Sequence, residues 1–201
     1  MQIDAIIFDF GNVLVNWDPK NLYETLFEDS KEMEYFLTNI CSMEWHGQQD
    51  AGRSCDEATK ILEESFPEHK EMIRRFYRDW ESMFSGEIQE NTALLPKLKT
   101  RGYRLFGLTN WPGDMFPRAL RQFPCFEEFE GIVVSGYEKM IKPNREIYHL
   151  LLDRYQLAAK NSLFIDDRIE NIEEAQRIGF HTIHYTNDVN LGKVLTDNGV
   201  L

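Results

Sequence analysis

The stretch Ile3-Asp4-Ala5-Ile6-Ile7-Phe8-Asp9-Phe10-Gly11-Asn12 constrains the fold more than any other part of the chain. Ile3 to Phe8 is nearly all apolar and rich in isoleucine, the pattern of a strand buried on both faces of a parallel sheet. It stops abruptly at an ionisable Asp9, and Gly11 and Asn12 then permit a tight turn. In open α/β sheets, ligands gather beyond the carboxyl ends of the strands, so the sequence presents a carboxylate at that edge. Taken alone, Asp9 has a plainer alternative, a helix or turn cap.

The character changes between Val15 and about Gln89. Apolar residues recur there at helical spacing: Leu22 and Leu26; Met33, Phe36, Leu37 and Ile40; Ile61, Leu62 and Phe66; Met72, Phe76, Trp80 and Phe84. No strand-like run interrupts them, which predicts an all-helical insert over 16–88, with its methionines and aromatics as bundle core. Beyond it, helix and strand alternate. Asn91 is placed to cap a helix that Gly102 stops, and Tyr103 to Leu108 reads as a buried strand ending in Thr109-Asn110. Gly131 to Val134 is a strand ending at Ser135, and Lys142-Pro143 opens a helix with proline in its first turn. Leu163 to Ile165 is a strand ending in Asp166-Asp167; a further helix stops at Gly179 before the strand His181 to Tyr185. The βαβ series implies an α/β fold: a Rossmann-like parallel sheet of 1–15 and 89–201, with helices on both faces.

Composition narrows the partners. A formal net charge of −12 argues against a nucleic-acid or anionic-membrane surface, because phosphate backbones demand lysine and arginine. A small anionic substrate responds only to its own pocket and stays open. Cys41, Cys55 and Cys125 are odd in number and lack CxxC spacing, as expected of reduced thiols in a cytoplasmic protein. The chain enters its first strand without a basic leader or a long apolar run, which predicts the same compartment.

Four strand ends carry polar residues: Asp9; Thr109-Asn110; Ser135, followed closely by Lys142; and Asp166-Asp167. In a parallel sheet all four open on one edge. Singly, each has a plain alternative. Thr109 could satisfy a turn, Lys142 could be a solvated lysine, and Asp166-Asp167 could cap the next helix. Together and in this order they resemble the haloacid-dehalogenase-like hydrolase superfamily, in the branch with a helical cap inserted after the first motif. The resemblance covers essentially the whole chain. It implies Asp9 as nucleophile, Thr109 as the second motif with Asn110 beside it, Lys142 as the third, and Asp166-Asp167 as the fourth, continued by Asn171, Ala175 and Gly179. Trp45, Asp50 and Gly52 resemble a cap-loop pattern that lies close to substrate in relatives, which makes Trp45 and His46 candidate substrate-binding residues.

One departure from the pattern concerns the chemistry. Phosphatases of the superfamily usually carry a second aspartate two residues after the nucleophile as general acid and base, and here that position is Gly11. Haloacid dehalogenases also carry glycine there, but they need no metal and keep no paired acidic motif. The chain is most similar to sugar phosphatases of the glucose-1-phosphate phosphatase type, which combine a Gly-Asn-Val turn with an acidic pair. Electrostatics agrees with a metal. Two unit charges ~4 Å apart repel by about 4 kcal/mol at an effective dielectric of ~20, so a phosphate dianion could not approach Asp9, Asp166 and Asp167 unaided. Mg²⁺ with Lys142 would balance that charge. Its expected ligands are Asp9, the Gly11 carbonyl, Asp167, and Asp166 either directly or through water. Thr109 and Asn110 would hold the phosphoryl oxygens.

The expected activity is Mg²⁺-dependent hydrolysis of a small phosphorylated metabolite through an aspartyl-phosphate. The alternatives are a 2-haloacid dehalogenase and a non-catalytic binding protein on the same scaffold. A missing acid at Gly11 further predicts a preference for esters whose leaving oxygen carries charge easily, such as anomeric, aryl or acyl phosphates.

Overall fold

The computed structural model describes residues 2–201. Its strands are β1 (Ala5–Phe8), β2 (Val15–Trp17), β3 (Phe84–Glu87), β4 (Arg104–Thr109), β5 (Gly131–Val134), β6 (Ser162–Asp166) and β7 (His181–His184). Five of them form one parallel sheet in the order β5-β4-β1-β6-β7. The most apolar strand, β1, is at the centre, with all four residues buried. Its pleat sends Ile6 and Phe8 into one hydrophobic cluster and Ala5 and Ile7 into another. Helices Arg145–Tyr155 and Ile169–Ile178 cover the second cluster through Ile147, Tyr148, Leu151, Ile172 and Ala175. Leu95, Leu98, Phe116, Ala119, Leu191 and Leu195 cover the first. Burial on both faces is why these strands read as continuous apolar runs.

The segment between the first strand and β4 differs from the all-helical expectation at its ends. β2 and β3 pair antiparallel as a two-stranded ribbon with an irregularity between Asn16 and Trp17. Both strands are too short to generate an alternating signal, and Phe84 fits the helical stripe of Met72, Phe76 and Trp80 equally well. The ribbon flanks the helices Lys20–Tyr23, Ser30–Asn39, Met43–Asp50, Cys55–Ser65 and Lys70–Arg78. Tyr23, Phe36, Trp45, Phe76 and Trp80 are buried among them, whereas Ile61 faces solvent.

Two local expectations fail for identifiable reasons. Asn91 does not cap a helix. It is buried inside the short helix Gln89–Thr92 and its amide donates to the Val13 carbonyl at 2.7 Å, tying the start of β4's approach to the turn after β1. Pro143 does not open the next helix: it lies in a turn, Asn144 after it is extended, and the helix begins at Arg145 with Asn144 at its N-cap. Among the described residues, no helix is long and apolar enough to cross a membrane.

Candidate active site

The parallel sheet brings the ends of β1, β4, β5 and β6 to one edge, and there the chain collects its charges. Lys142 is 2% exposed, with Nζ 3.0 Å from Asp9 Oδ1 and 2.7 Å from Asp166 Oδ2. Burial opposes the ammonium charge, but Asp166 and Asp9 outweigh it and hold the Lys142 pKa above its ordinary value. The backbone of Lys142 is fixed as firmly. Asn110 accepts from its N–H at 2.8 Å and donates to its carbonyl at 3.0 Å, so the Asn110 side chain is spent on positioning Lys142 and not on the phosphoryl oxygens expected of it. Ser135 accepts from Trp111 N–H at 2.9 Å and shapes the β4 loop from below.

Asp166 is fully engaged. Its two oxygens accept from Lys142, from the Arg168 N–H at 2.8 Å and from the Asn171 amide at 2.8 and 3.0 Å. Asp9 uses Oδ1 for Lys142 and for the Phe10 N–H at 2.7 Å, which leaves Oδ2 free of hydrogen bonds. Burial raises the Asp9 pKa to about 7 against the pull of Lys142, and Asp166 and Asp167 push in the same direction as burial. Burial and then Asp166 raise Asp167 as well. One carboxylate oxygen from each of Asp9, Asp166 and Asp167 lies within 4.8 Å of the others. This donor set, all oxygen and with like charges crowded together, suits a hard divalent cation. With Asp166 already satisfied by four donor contacts, Asp9 and Asp167 are the carboxylates free to take the ion.

A cavity of about 300 Å³ opens over this cluster, bounded by Asp9, Gly11, Lys142 and Asp167 below and by Trp17, His46, Asp50 and Trp80 above. Thr109 lies at the end of β4, fully buried, and its Oγ1 has no hydrogen-bond partner. Of the two cap residues expected near substrate, His46 lines the cavity and Trp45 does not. Trp45 packs edge-on against Phe76 with ring centroids 5.2 Å apart. Both sit on the helix Met43–Asp50 rather than on a loop; a 3.6-residue repeat sends adjacent positions to different faces. His46 stacks on Trp17 at 5.1 Å and places Nδ1 3.0 Å from the Tyr77 hydroxyl. Burial lowers its pKa to about 3, so the imidazole is neutral. Gly52 follows that helix at φ +98°, where an added Cβ would meet Lys139 Cγ at 2.8 Å and the Gly136 carbonyl at 3.1 Å. That close approach seats the cap on the short helix Ser135–Glu138 that follows β5.

Three wall residues, Trp17, Trp80 and Trp111, escaped functional notice in the sequence: Trp80 falls in a helical stripe like any core residue, and Trp17 and Trp111 lie in short stretches with no periodic pattern. Each carries a buried indole N–H with no hydrogen-bond partner. A polar trough of about 550 Å³, lined by Asn12, Asn16, Asn21 and Asn187 among others, adjoins the cavity and shares Trp17 and Asp167 with it.

The family described as haloacid dehalogenase-like hydrolase matches residues 6–185. Sesquiterpene phosphatase astK of Aspergillus oryzae is 26% identical over 185 residues, covering 92% of this chain and 91% of its own. The phosphorylated carbohydrates phosphatase of Thermotoga maritima is 25% identical over 207 residues, covering 99% and 93%. Among solved structures, the magnesium complex of HAD family enzyme bt-2542 from Bacteroides thetaiotaomicron superposes with a TM-score of 0.77 at 21% identity, over 97% of this chain and 99% of that one. At that identity the likeness is one of fold.

Proposed function

Because this chain belongs to the haloacid dehalogenase-like hydrolase family, we propose that it is a Mg²⁺-dependent phosphatase of small phosphorylated metabolites that works through an aspartyl-phosphate. The observation that carries the proposal is Lys142 Nζ held between Asp9 and Asp166, with Asp167 in the same carboxylate cluster. Asp9, Asp167 and the Gly11 carbonyl would hold Mg²⁺, and Asp166 would orient the site through Lys142, Asn171 and the Arg168 N–H. The ion would supply positive charge for the phosphoryl oxygens. Phosphatase relatives and a magnesium-bound relative of the same fold support the reading.

In this reading Asp9 attacks phosphorus, its geometry fixed by the Phe10 N–H and Lys142. Lys142 balances charge on the transferring group. The unpartnered Thr109 hydroxyl, at the end of β4, would donate to a phosphoryl oxygen. Trp17, Trp80 and Trp111 line the cavity and offer aromatic surface to the leaving group.

The deciding experiment is turnover of 4-nitrophenyl phosphate and a panel of sugar phosphates with and without Mg²⁺. EDTA should silence the enzyme and Mg²⁺ restore it. Metal-independent halide release from 2-haloacids would establish a dehalogenase instead, and no activity in either assay would indicate a binding protein.

A further inference from the structure

Breaking a phosphate ester at neutral pH leaves an oxygen that needs a proton, and general acid help is worth roughly 10²–10⁴-fold. Position 11, where the resemblance would put that acid, is glycine. The ionisable groups lining the cavity are Asp9, His46, Asp50, Lys142, Asp167 and Arg168. Asp9 is committed to bonding phosphorus, Asp167 belongs to the carboxylate cluster, and Lys142 is held between two carboxylates. Arginine does not give up its proton. His46 is neutral, with Nδ1 tied to the Tyr77 hydroxyl. Asp18 lies in the adjoining trough, where it accepts from the Lys20 N–H at 2.9 Å.

Asp50 remains. It ends the helix Met43–Asp50 and lines the cavity over Asp9 and Lys142. Its Oδ1 is shielded from solvent and has no hydrogen-bond partner, and the nearest cation-forming group, His46 Nε2, is 3.6 Å away. We propose that Asp50, a carboxyl carried by the cap, is the general acid and base of this site, in place of the side chain missing at Gly11. The inference rests on the phosphatase reading above. Burial, then the charge of Asp9, pushes the Asp50 carboxyl up to about 7, with Lys142 and Arg168 opposing. That places it where it can both give and take a proton.

The proton balance closes over two half-reactions. In the first, an Asp9 oxygen bonds to phosphorus while the bond from phosphorus to the leaving oxygen breaks. Asp50 gives its carboxyl proton to that oxygen. In the second, water attacks the same phosphorus, the bond from phosphorus to Asp9 breaks, and the Asp50 carboxylate takes the proton from water. An alcohol and inorganic phosphate leave, and both carboxyl groups return to their starting states. Because the acid sits on the cap, it reaches the leaving oxygen only with the cap seated over the site.

The test is a series of phosphate monoesters with leaving groups of graded pKa, from 4-nitrophenol to a primary alcohol, read as kcat/KM with Mg²⁺. The wild type should show a shallow dependence. Asp50→Asn, nearly isosteric, should lose 10²–10⁴-fold on the primary alcohol ester and less than about 10-fold on 4-nitrophenyl phosphate. Adding Gly11→Asp should recover part of the loss on the alcohol ester alone. There is room for it: a Cβ at Gly11 meets nothing within 4 Å, and Gly11 is not among the positive-φ glycines. Equal losses across the series would reduce Asp50 to a structural role. A steep wild-type dependence would overturn the proposal without any variant, should Asp50→Asn fail to fold. A wild type inert to every ester would remove the phosphatase reading itself, an outcome distinct from both.

Discussion

The sheet edge and the cap meet at one cavity but differ in how they treat their polar atoms. At the sheet edge the charged groups are engaged mostly with one another and with the backbone, with Thr109 Oγ1 and Asp9 Oδ2 left open. Asp166 accepts from Lys142, Arg168 N–H and Asn171; Asn110 clamps the Lys142 backbone on both sides; Asp9 Oδ1 is held by Lys142 and Phe10 N–H. On the cap side and its flanks, Trp17 Nε1, Trp80 Nε1 and Asp50 Oδ1 are buried and unpartnered. Chemistry needs preorganised groups that do not wait for substrate. Recognition gains from groups that only the right ligand satisfies, because the wrong one leaves them buried without partners. In the proposed reading the sheet edge supplies the nucleophile and its charge balance, and the cap supplies the proton and the walls that meet the leaving group.

The comparison breaks most sharply at Asp9. Asp9→Asn should lower turnover by on the order of 10⁴-fold or more on every ester, since only the nucleophile is lost. Its thermal unfolding should stay close to wild type. Activity near wild type in a homogeneous preparation would end the covalent mechanism. No single cap substitution should reach that size uniformly across substrates.

The two regions should also differ in how pH acts on stability. His46, buried in the cap, has a folded pKa of about 3 against 6.5 for the free side chain, because burial disfavours its charge. The unfolded chain therefore takes up a proton that the folded cap refuses. The stability this neutral histidine permits is complete above pH 6.5 and drains away as pH falls towards 3, by at most about 5 kcal/mol. His46→Phe should flatten that loss, measured as the difference in denaturant midpoint between pH 8 and pH 4. Tyr77 keeps a partner in the variant, since Gln49 also bonds its hydroxyl. An unchanged acid profile would place the sensitivity elsewhere.

The smallest effect separates two tryptophans of the cap. Trp80 lines the cavity and Trp45 does not. Trp80→Phe trims the aromatic wall of the cavity and should cost about 3–10-fold in kcat/KM on sugar phosphates, with little change on 4-nitrophenyl phosphate. Trp45→Phe should lower Tm by several degrees and leave substrate preference untouched. Altered preference from Trp45→Phe would mean that the cap transmits packing to the cavity.

The sequence by itself determined the sheet, its parallel sense and the edge on which Asp9, Thr109, Lys142 and Asp166-Asp167 meet. Runs buried on both faces and abrupt polar ends are local patterns, and βαβ connectivity turns them into one shared edge. Tertiary structure decided which of those residues are free to act. The bonds that spend Asn110 on Lys142 and Asn171 on Asp166 span 32 and 5 residues, and the contact of Asn91 with Val13 spans 78. No local pattern encodes such pairings. The cap was the least legible part, because a helical stripe of aromatics has the same spacing whether its rings fill a bundle core, as Trp45 does, or wall a cavity, as Trp80 does. Only the way the cap seats on the sheet tells a buried ring with neighbours on every side from one that faces a space, and the same seating sets Asp50 above Asp9.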